Sequence, residues 1–536
     1  MADLVIKNGA IYTVDVENPE VEAVAIEGNQ IVFAGSENGV LEFISEDTRI
    51  IDANGKTVMP GFIDSHFHLL WGSNALATAQ LYDCDSLDAL ETVLRKWADN
   101  NRDSEWVLGN GMSYAVPSAD QPLNRHHLDE IIADRPVLLV SFDVHTVWLN
   151  TLGLERAGLL NGHPELPGDA EIVMGEDGLA TGALIEPAAY NLAMEKLPEP
   201  TEEVLFDILR HGLSVVASYG ITSIHDMTSN AAEMRPYGFL EKQNELTVRI
   251  YSNQLMEPEH EVADIERLAV PLREQYRSDL LRTGFLKFFM DGVYESYSAV
   301  TLNGYPDQPE NHGEPIFSAD KFAAMAIEAD RLGFQIAVHA CGDGAVRRVL
   351  DGYEAAADQN GKRDSRHRVE HIELISEDDI SRFAELGVVA SMQPLHSPIE
   401  ENDSDLWPTR VAEAEWDRAF AWSSLRKAGA HLAFGSDWPV VTLNPIIGLH
   451  AAVNRRPWKP GHDSHNQTLA EAIAGYTKDA AWAEFMEDKK GQIKVGMLAD
   501  IVILSENLFE IPADEIVNTT VEMTIMDGRV VFEKNI

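Results

Sequence analysis

The sequence predicts an α/β fold in which parallel strands alternate with helices and close into a barrel, and a small β-domain is built from both chain ends. Between residues 60 and 485, strand-like apolar runs alternate with helical stretches such as 318–332 and 376–386. Histidine, lysine or aspartate lies near the carboxyl end of several runs, and a ring of parallel strands brings such residues together. The chain ends instead contain short strand-like segments separated by turn residues.

The terminal β-domain is predicted from alternating apolar and polar residues at both ends of the chain. One N-terminal segment alternates around Asn8-Gly9, a pair typical of a two-residue hairpin turn. The segments with this pattern are 4–14, 21–34, 496–504 and 521–532. We therefore expect a β-sandwich formed by residues 1–58 and 488–536.

The first predicted barrel strand ends in His66 and His68. Side chains two apart in a strand point to the same face, so these imidazoles can bind one metal ion together. A single His-x-His pair also occurs by chance in many chains, and further ligands are needed to support a metal site. We expect Asp64, just before the pair, to accept a hydrogen bond that orients a ligand histidine.

Four further candidate ligands lie far downstream, each in or after a strand-like run. Lys287 lies within an apolar run, where an unpaired ammonium is costly to bury. His339 and His371 end two other runs, and a period of two places His367 on the same face as His371. Asp437 follows the last run. The order is His-x-His, Lys, His, His, Asp, which favours one metal centre over isolated structural roles.

Each candidate also has a structural interpretation. Lys287 could pair with Asp291 in the core, and Asp437 could cap a helix. His339 and His371, taken singly, could be hydrogen-bonded core histidines. The combination of six residues of types that bind metals favours the metal site over these alternatives.

This set of residues resembles the amidohydrolase superfamily, and more narrowly its amidohydrolase-3 or YtcJ-like branch, which includes N-substituted formamide deformylases. The phrases DVHTVWLN (143–150) and GITSIHD (220–226) also resemble this branch. The resemblance spans nearly the whole chain and implies a (β/α)8 TIM-type barrel with a β-sandwich from both termini. The implied metal ligands are His66, His68, Lys287, His339, His371 and Asp437.

The resemblance implies two divalent ions, with Zn²⁺ as the expected metal. His66, His68 and Asp437 would bind one ion, and His339 and His371 the other. A carboxylated Lys287 would bridge them, while Asp437 would also move the proton during catalysis. The implied reaction is hydrolysis of a carbon–nitrogen bond in an amide, formamide or cyclic amide by a metal-activated hydroxide.

Two alternatives stay open at this point. One is an esterase or lactonase on the same barrel with one metal and an unmodified Lys287. The other is a non-catalytic scaffold of the same fold, although retention of all six ligand positions argues against it.

The barrel domain is predicted over residues 59–487, with an inserted subdomain at about 75–205 because the gap after His68 is too long for one connection. A loop over 293–316, rich in Gly, Pro, Asn and Tyr, is expected to be a mobile cover over the site. The candidate substrate-binding residues are His145, His225, Asp291, Tyr294, His396 and Trp438.

Composition limits the partners of the protein. With 88 acidic and 41 basic residues, the formal net charge is −47, which disfavours nucleic acid and membrane surfaces and leaves a small-molecule substrate. Two distant cysteines, Cys84 and Cys341, fit no zinc or redox spacing. With no signal peptide visible, we expect a cytoplasmic protein. A homodimer is compatible with the resemblance.

Overall fold

The computed structural model describes residues 1–118, 121–142, 144–163, 166, 170–397 and 406–534. Asp143, in one of the phrases that carry the family resemblance, lies outside this range. The chain divides into two compact units, one formed by residues 1–69 with 213–536 and the other by residues 70–212. The insertion predicted at about 75–205 lies within the second unit, and the predicted domain boundaries stay predictions.

Eight parallel strands of the first unit form the barrel. In chain order they are β1 (Phe62–Phe67), β2 (Ile221–Asp226), β3 (Arg249–Leu255), β4 (Leu281–Phe289), β5 (Gln335–Ala340), β6 (Arg368–His371), β7 (Val389–Met392) and β8 (His431–Phe434). The ring closes beyond β8, where the Asp437 amide donates to the His66 carbonyl at 2.7 Å and the His68 amide donates to the Trp438 carbonyl at 3.0 Å. The predicted TIM-type barrel is confirmed.

The register of the strands brings their carboxyl ends to one level. Phe289 at the end of β4 lies opposite His339 in β5, and Ala340 lies opposite His371 in β6. Residues at the ends of separate strands therefore meet at one face of the barrel, as the sequence predicted.

Helices of this unit pack their apolar faces on the strands. Ser318 caps Ala319–Arg331 by accepting the Lys321 amide, and its buried face includes Phe322 and Met325. Both quoted helical stretches are confirmed as Ala319–Arg331 and Glu377–Leu386. The remaining α-helices of the unit are Glu37–Val40, Ala231–Lys242, Val262–Gln275, Asp343–Asn360, Trp407–Arg410, Trp422–Lys427, Pro445–Asn454, Leu469–Gly475 and Lys478–Ala483.

Both chain ends form one eight-stranded sheet, which confirms the predicted terminal β-domain. Gly28, with φ 59°, lies in the turn between Glu20–Glu27 and Gln30–Gly35, which pair as antiparallel strands. Its strands are Leu4–Tyr12, Glu20–Glu27, Gln30–Gly35, Arg49–Asp52, Thr57–Pro60, Ile501–Leu504, Val521–Met526 and Arg529–Glu533. Thr57–Pro60 pairs with Ile501–Leu504 and so joins the two ends of the chain.

The hairpin predicted at Asn8-Gly9 is wrong. Both residues lie inside the single strand Leu4–Tyr12, at an irregularity in its pairing between Lys7 and Ile11. Asn8 has φ 55°, which asparagine tolerates well, and the strand changes parallel partner here from Arg49–Asp52 to Thr57–Pro60. The pair therefore bends a strand instead of reversing the chain.

The second unit contains a mixed sheet of six strands packed with helices. Asn150 connects several of its elements, since it caps Thr151–Ala157 and donates to the carbonyls of Ile132 and Arg135. The strands of the sheet are Ala79–Gln80, Val107–Met112, Val137–Ser141, Thr146–Leu149, Glu171–Met174 and Ala180–Ile185, and Pro117–Ser118 pairs separately with Gln121–Pro122. Its helices are Leu69–Leu76, Leu87–Asn100, Arg125–Ile131, Thr151–Ala157, Pro187–Met194 and Glu202–Ser218, the first and last of which cross the unit boundary.

The loop over 293–316 is anchored to the barrel by backbone hydrogen bonds. The Val300 carbonyl accepts the amides of Gly344 and Ala345, and the Ile316 amide donates to Met290. Tyr305 is buried, and its hydroxyl donates to the Ala299 carbonyl. This packing argues against the mobile cover that the composition suggested. Among the described residues, no helix has the length and apolar character needed to cross a membrane.

Candidate metal centre and active site

His66 and His68 present the same ring nitrogen to one point at the end of β1. The Nδ1 atom of His66 lies 2.8 Å from Glu370 Oε2, and that of His68 lies 2.8 Å from Thr228 Oγ1. Their Nε2 atoms lie 3.5 Å and 3.0 Å from Asp437 Oδ1. Each histidine is thus held through one nitrogen and leaves the other facing the carboxylate, an arrangement typical of histidine ligands.

Asp437 is buried, and its two carboxylate oxygens face different histidines. Oδ1 faces His66 and His68, while Oδ2 lies 3.6 Å from His396 Nε2. Burial by itself would raise the pKa of this carboxyl, but the neighbouring imidazoles outweigh burial and hold the pKa well below its usual range. Asp437 is therefore ionised at neutral pH, as a ligand or a proton acceptor must be.

His339 and His371 converge on the same region from β5 and β6. The His371 ring centre lies 4.4 Å from that of His339 and 4.7 Å from that of His66. Nε2 of His339 lies 3.1 Å from the Gly292 carbonyl, so this nitrogen carries the proton and Nδ1 keeps a free lone pair. Burial and the Lys287 ammonium lower the pKa of His339 to about 4, which keeps the imidazole neutral, as metal binding requires.

Lys287 lies fully buried in β4, with Nζ 3.4 Å from His66 Nε2. Burial lowers its pKa to about 8, although Glu370 and Asp437 act in the opposite direction. The alternative pairing with Asp291 is not what the structure shows. The carboxylate of Asp291 instead accepts three backbone amides, from Val300, Cys341 and Gly342 at 2.9–3.0 Å.

Glu370 is a site residue that the sequence reasoning missed. It lies between the Nδ1 atom of His66 and the guanidinium of Arg368, whose Nε donates to Oε1 at 2.8 Å. All three side chains are buried. An arginine and a glutamate two residues apart inside an apolar strand would have indicated a buried ion pair, because neither is buried without a partner.

One prediction about a histidine environment is wrong. His367 does not share the face of His371, since its Nδ1 accepts the Ile336 amide and its ring packs on Tyr353. The alternation breaks because His371 has φ 74° at the strand end. Asp64 accepts a hydrogen bond from the candidate ligand His66, as predicted, but from its backbone amide, and the same Oδ1 accepts the Ser436 amide.

Two of the predicted substrate-binding residues lie beside the candidate ligands. The His396 ring stacks on that of His371 at 5.7 Å, with an angle of 7° between the rings. Trp438 follows Asp437 directly and packs against Phe67 at 5.0 Å. Their predicted contact with a substrate stays a prediction.

The other four predicted substrate-binding residues have different surroundings. His225 is fully buried, with Arg368 donating to its Nδ1 and Glu484 3.4 Å from its Nε2. Its predicted contact with a substrate stays a prediction. Asp291 is occupied by backbone amides, as described above. Tyr294 is buried against Tyr305 and Trp407. His145 lies in the second unit, 3.2 Å from Glu186.

The donors fit divalent cations. His66, His68 and Asp437 form one group whose potential ligand atoms lie within 4.8 Å of one another, and His371, His396 and Asp437 form another. Neutral imidazoles with a carboxylate are the ligands that zinc-like ions prefer. A third group, Asp291, His339 and Cys341, fits less well, since Asp291 is occupied and burial raises the pKa of the Cys341 thiol well above its usual range.

Comparison with known proteins agrees with this geometry. The sequence matches the amidohydrolase family over residues 49–532. The chain belongs to the amidohydrolase family. The curated amidohydrolase relatives include the putative amidohydrolase YtcJ of Bacillus subtilis (strain 168), 28% identical over 98% of this chain and 99% of that protein. The N-substituted formamide deformylase of Arthrobacter pascens is 27% identical over 100% of this chain and 99% of its own length.

A further relative in Arabidopsis thaliana, Protein LONG AFTER FAR-RED 3, is 30% identical over 95% of this chain and 88% of that protein. Among solved structures, an uncharacterized metal-dependent hydrolase from Pyrococcus furiosus superposes with a TM-score of 0.76 at 26% identity, covering 93% of this chain and 98% of that one. The predicted resemblance is confirmed, and this amidohydrolase is a metal-dependent hydrolase.

Proposed function

We propose that this amidohydrolase hydrolyses a carbon–nitrogen bond of a small molecule, in an amide, a formamide or a cyclic amide. The observation that carries the proposal is the position of Asp437 Oδ1, close to Nε2 of both His66 and His68 and beside the buried Lys287. The Arthrobacter relative, an N-substituted formamide deformylase, supports the same bond class.

His66, His68 and Asp437 would hold one divalent ion, and His339 and His371 the other. Lys287 would join them as a carbamate, because its lowered pKa makes a neutral amine, the form that reacts with carbon dioxide, accessible near neutral pH. Nitrogen and carboxylate donors favour Zn²⁺. These ligand roles, the metal and the carbamate are part of the proposal.

Divalent ions supply two effects at such a site when bound, since they lower the pKa of water and polarise a carbonyl. The chain itself moves the proton. Ionised Asp437 accepts a proton from the attacking water at a carboxylate oxygen and delivers it to the departing nitrogen. Glu370 holds the Nδ1 proton of His66, so that His66 keeps its Nε2 lone pair throughout.

A hydrolysis screen tests the proposal. The metal-loaded protein is assayed with N-formyl, N-acyl, cyclic amide, carbamate and ester compounds, and Asp437→Asn serves as the inactive control. Turnover of an amide-type compound that is lost in chelator is the expected result. Turnover of esters or lactones alone, with one metal per chain, would favour the esterase alternative. Full activity in chelator, in protein free of transition metal, would contradict the mechanism.

We also propose that the protein is cytoplasmic and acts on a small-molecule substrate. Its charge of −47 disfavours binding to nucleic acid or to a membrane surface. A homodimer is part of this proposal. Sedimentation of the purified protein measures the number of chains per particle.

A further inference from the structure

His396 is the buried imidazole at this site that the ligand set above does not use. It is the last residue of the short 3₁₀-helix Pro394–His396, which follows β7. Of the strands β4 to β8, β7 alone contributes no ligand to the proposed metal site. Its side chain is only 13% exposed. The sequence predicted His396 as a substrate contact and not as a metal ligand.

Two buried ring nitrogens lack hydrogen-bond partners among the described residues, namely Nε2 of His396 and Nδ1 of His371. Leaving buried polar atoms unpaired is costly, so such atoms usually face a ligand. The two rings are nearly parallel, with an angle of 7° between them and their centres 5.7 Å apart.

The Asp437 carboxylate completes this group. Its Oδ2 lies 3.6 Å from His396 Nε2, which is too long for a good hydrogen bond but suits two ligands of one ion. The possible donor atoms of His371, His396 and Asp437 all lie within 4.8 Å of one another. Oδ1 of the same carboxylate faces His66 and His68 instead.

We propose that His396 is a ligand of the second divalent cation, together with His371, and that Asp437 bridges the two cations through its separate oxygens. The inference rests on the proposed two-ion centre and adds to it a ligand from β7. Two imidazoles and a carboxylate oxygen form a donor set typical of zinc-like ions. His339 and the Lys287 carbamate would complete the coordination of that cation.

The test measures the metal content of the full-length protein loaded with Zn²⁺ or Co²⁺ alone. Wild type is expected to retain about two equivalents per chain, whereas His396→Gln should retain about one, because His66 and His68 keep the first ion. The affinity for the second equivalent should fall by more than the roughly 10–100-fold that loss of an outer-sphere partner causes. The Co²⁺ visible absorption of the second site should disappear with it.

His431→Gln is the matched control. His431 begins β8, at the opposite end of the barrel from Asp437, and its ring stacks on Trp482. This variant should retain both equivalents. If His396→Gln fails to fold, His396→Asp decides: a lost or weakened second equivalent supports the proposal, and two equivalents bound as tightly as in the wild type contradict it.

Three outcomes separate the inference from the proposed function. Two tightly bound equivalents in folded His396→Gln, with a raised KM, would make His396 a substrate contact and overturn the inference alone. A wild type that binds one ion and still hydrolyses amides would also overturn the inference and leave the hydrolase activity intact. A wild type without metal or hydrolysis would overturn both.

Discussion

Asp437 combines a buried charge with an unusual backbone conformation. Its φ is 65°, in the left-handed region that aspartate enters more readily than most residues. This conformation follows β8 and turns the side chain toward the histidines, with its own amide bound to the His66 carbonyl. The position of the carboxylate therefore depends on the closure of the barrel as well as on the residue.

At this position we predict that Asp437→Asn folds but loses its rate by about 100-fold or more, the scale expected for loss of a general base. Asparagine keeps the size and one carbonyl oxygen but cannot accept the proton. Turnover and metal content are measured on the same sample, because loss of metal would add to the effect. A turnover close to wild type would show that another group is the base.

Lys287→Ala should lose the second ion and most turnover, and short carboxylic acids in solution should partly restore both. Because burial lowers the pKa of Lys287 to about 8, the fraction of neutral amine increases as the pH rises through that value. Apo protein should thus take up carbon dioxide and the second ion better at pH 8.5 than at pH 6.5. A folded Lys287→Ala variant with a normal metal count would exclude the carbamate bridge.

Glu370→Gln tests how His66 is held. Glutamine keeps an acceptor for the Nδ1 proton but removes the negative charge that raises the basicity of the imidazole, so the affinity for the first ion should fall by about 10–100-fold. Metal titration below the melting temperature measures this affinity. Thr228→Val removes the neutral acceptor of His68 and should have a smaller effect. Equal affinities in Glu370→Gln and wild type would make Glu370 purely structural.

At the scale of elements, β6 shows why strand periodicity located the ligands only in part. Arg368 and Glu370 both point into the barrel, as a period of two requires. Arg368 donates to Glu370, and Glu370 is hydrogen-bonded to His66. His371 should then point outward, but its φ of 74° ends the alternation and turns the ring to the site. The sequence predicted His371 as a ligand from its place at the end of a strand-like run, whereas the direction of its ring depends on this backbone conformation.

The contact between β1 and β8 leads to a second prediction at this scale. A Cβ at Gly435 would clash with the backbone amide of His66 and would lie 2.8 Å from Asp64 Oδ1. Since a backbone atom cannot move aside cheaply, Gly435→Ala should displace His66 and lower the metal content while the helical content stays normal. Gly496→Ala, whose added methyl meets no atom within 4 Å, is strained only by its φ of 91° and should lose some stability but keep the full metal content. Equal metal content in both variants would contradict this argument.

At the scale of the whole molecule, a buried ion pair joins the barrel to the terminal sheet. Arg249 in β3 donates to both oxygens of Asp500, at 2.7 and 3.0 Å, and to Asp527 at 2.8 Å. Arg249 is 2% exposed and Asp500 6%. Asp500 directly precedes the sheet strand Ile501–Leu504, and Asp527 lies in the turn between the last two sheet strands. These contacts therefore connect a barrel strand with the terminal sheet.

Arg249→Met should lower the free energy of unfolding by about 3–5 kcal/mol, because it leaves the Asp500 carboxylate buried without its counter-ion. Urea unfolding measures the change, and the metal content should stay at the wild-type value. Arg49→Met is the matched control, since it removes the exposed pair with Glu533 at 2.7 Å and should change stability little. Equal losses in both variants would show that burial does not govern this interaction.

The sequence by itself determined the architecture and the residues proposed as metal ligands. Alternating strands and helices predicted the barrel, and turn residues at both ends predicted the terminal β-domain. His66, His68, Lys287, His339, His371 and Asp437 could be selected from the sequence because ligand residue types at strand ends are local signals. These signals do not depend on knowing which strands are neighbours.

Only the tertiary structure decided what surrounds those residues. Glu370 binds Nδ1 of His66, and His396 faces the second oxygen of Asp437. Both contacts join residues that are far apart in the chain. The same is true of the burial of His225 between Arg368 and Glu484, and of Asn8, where a change of strand partner replaces the expected turn. Sequence periodicity describes one strand at a time, whereas a site is formed by the packing of several.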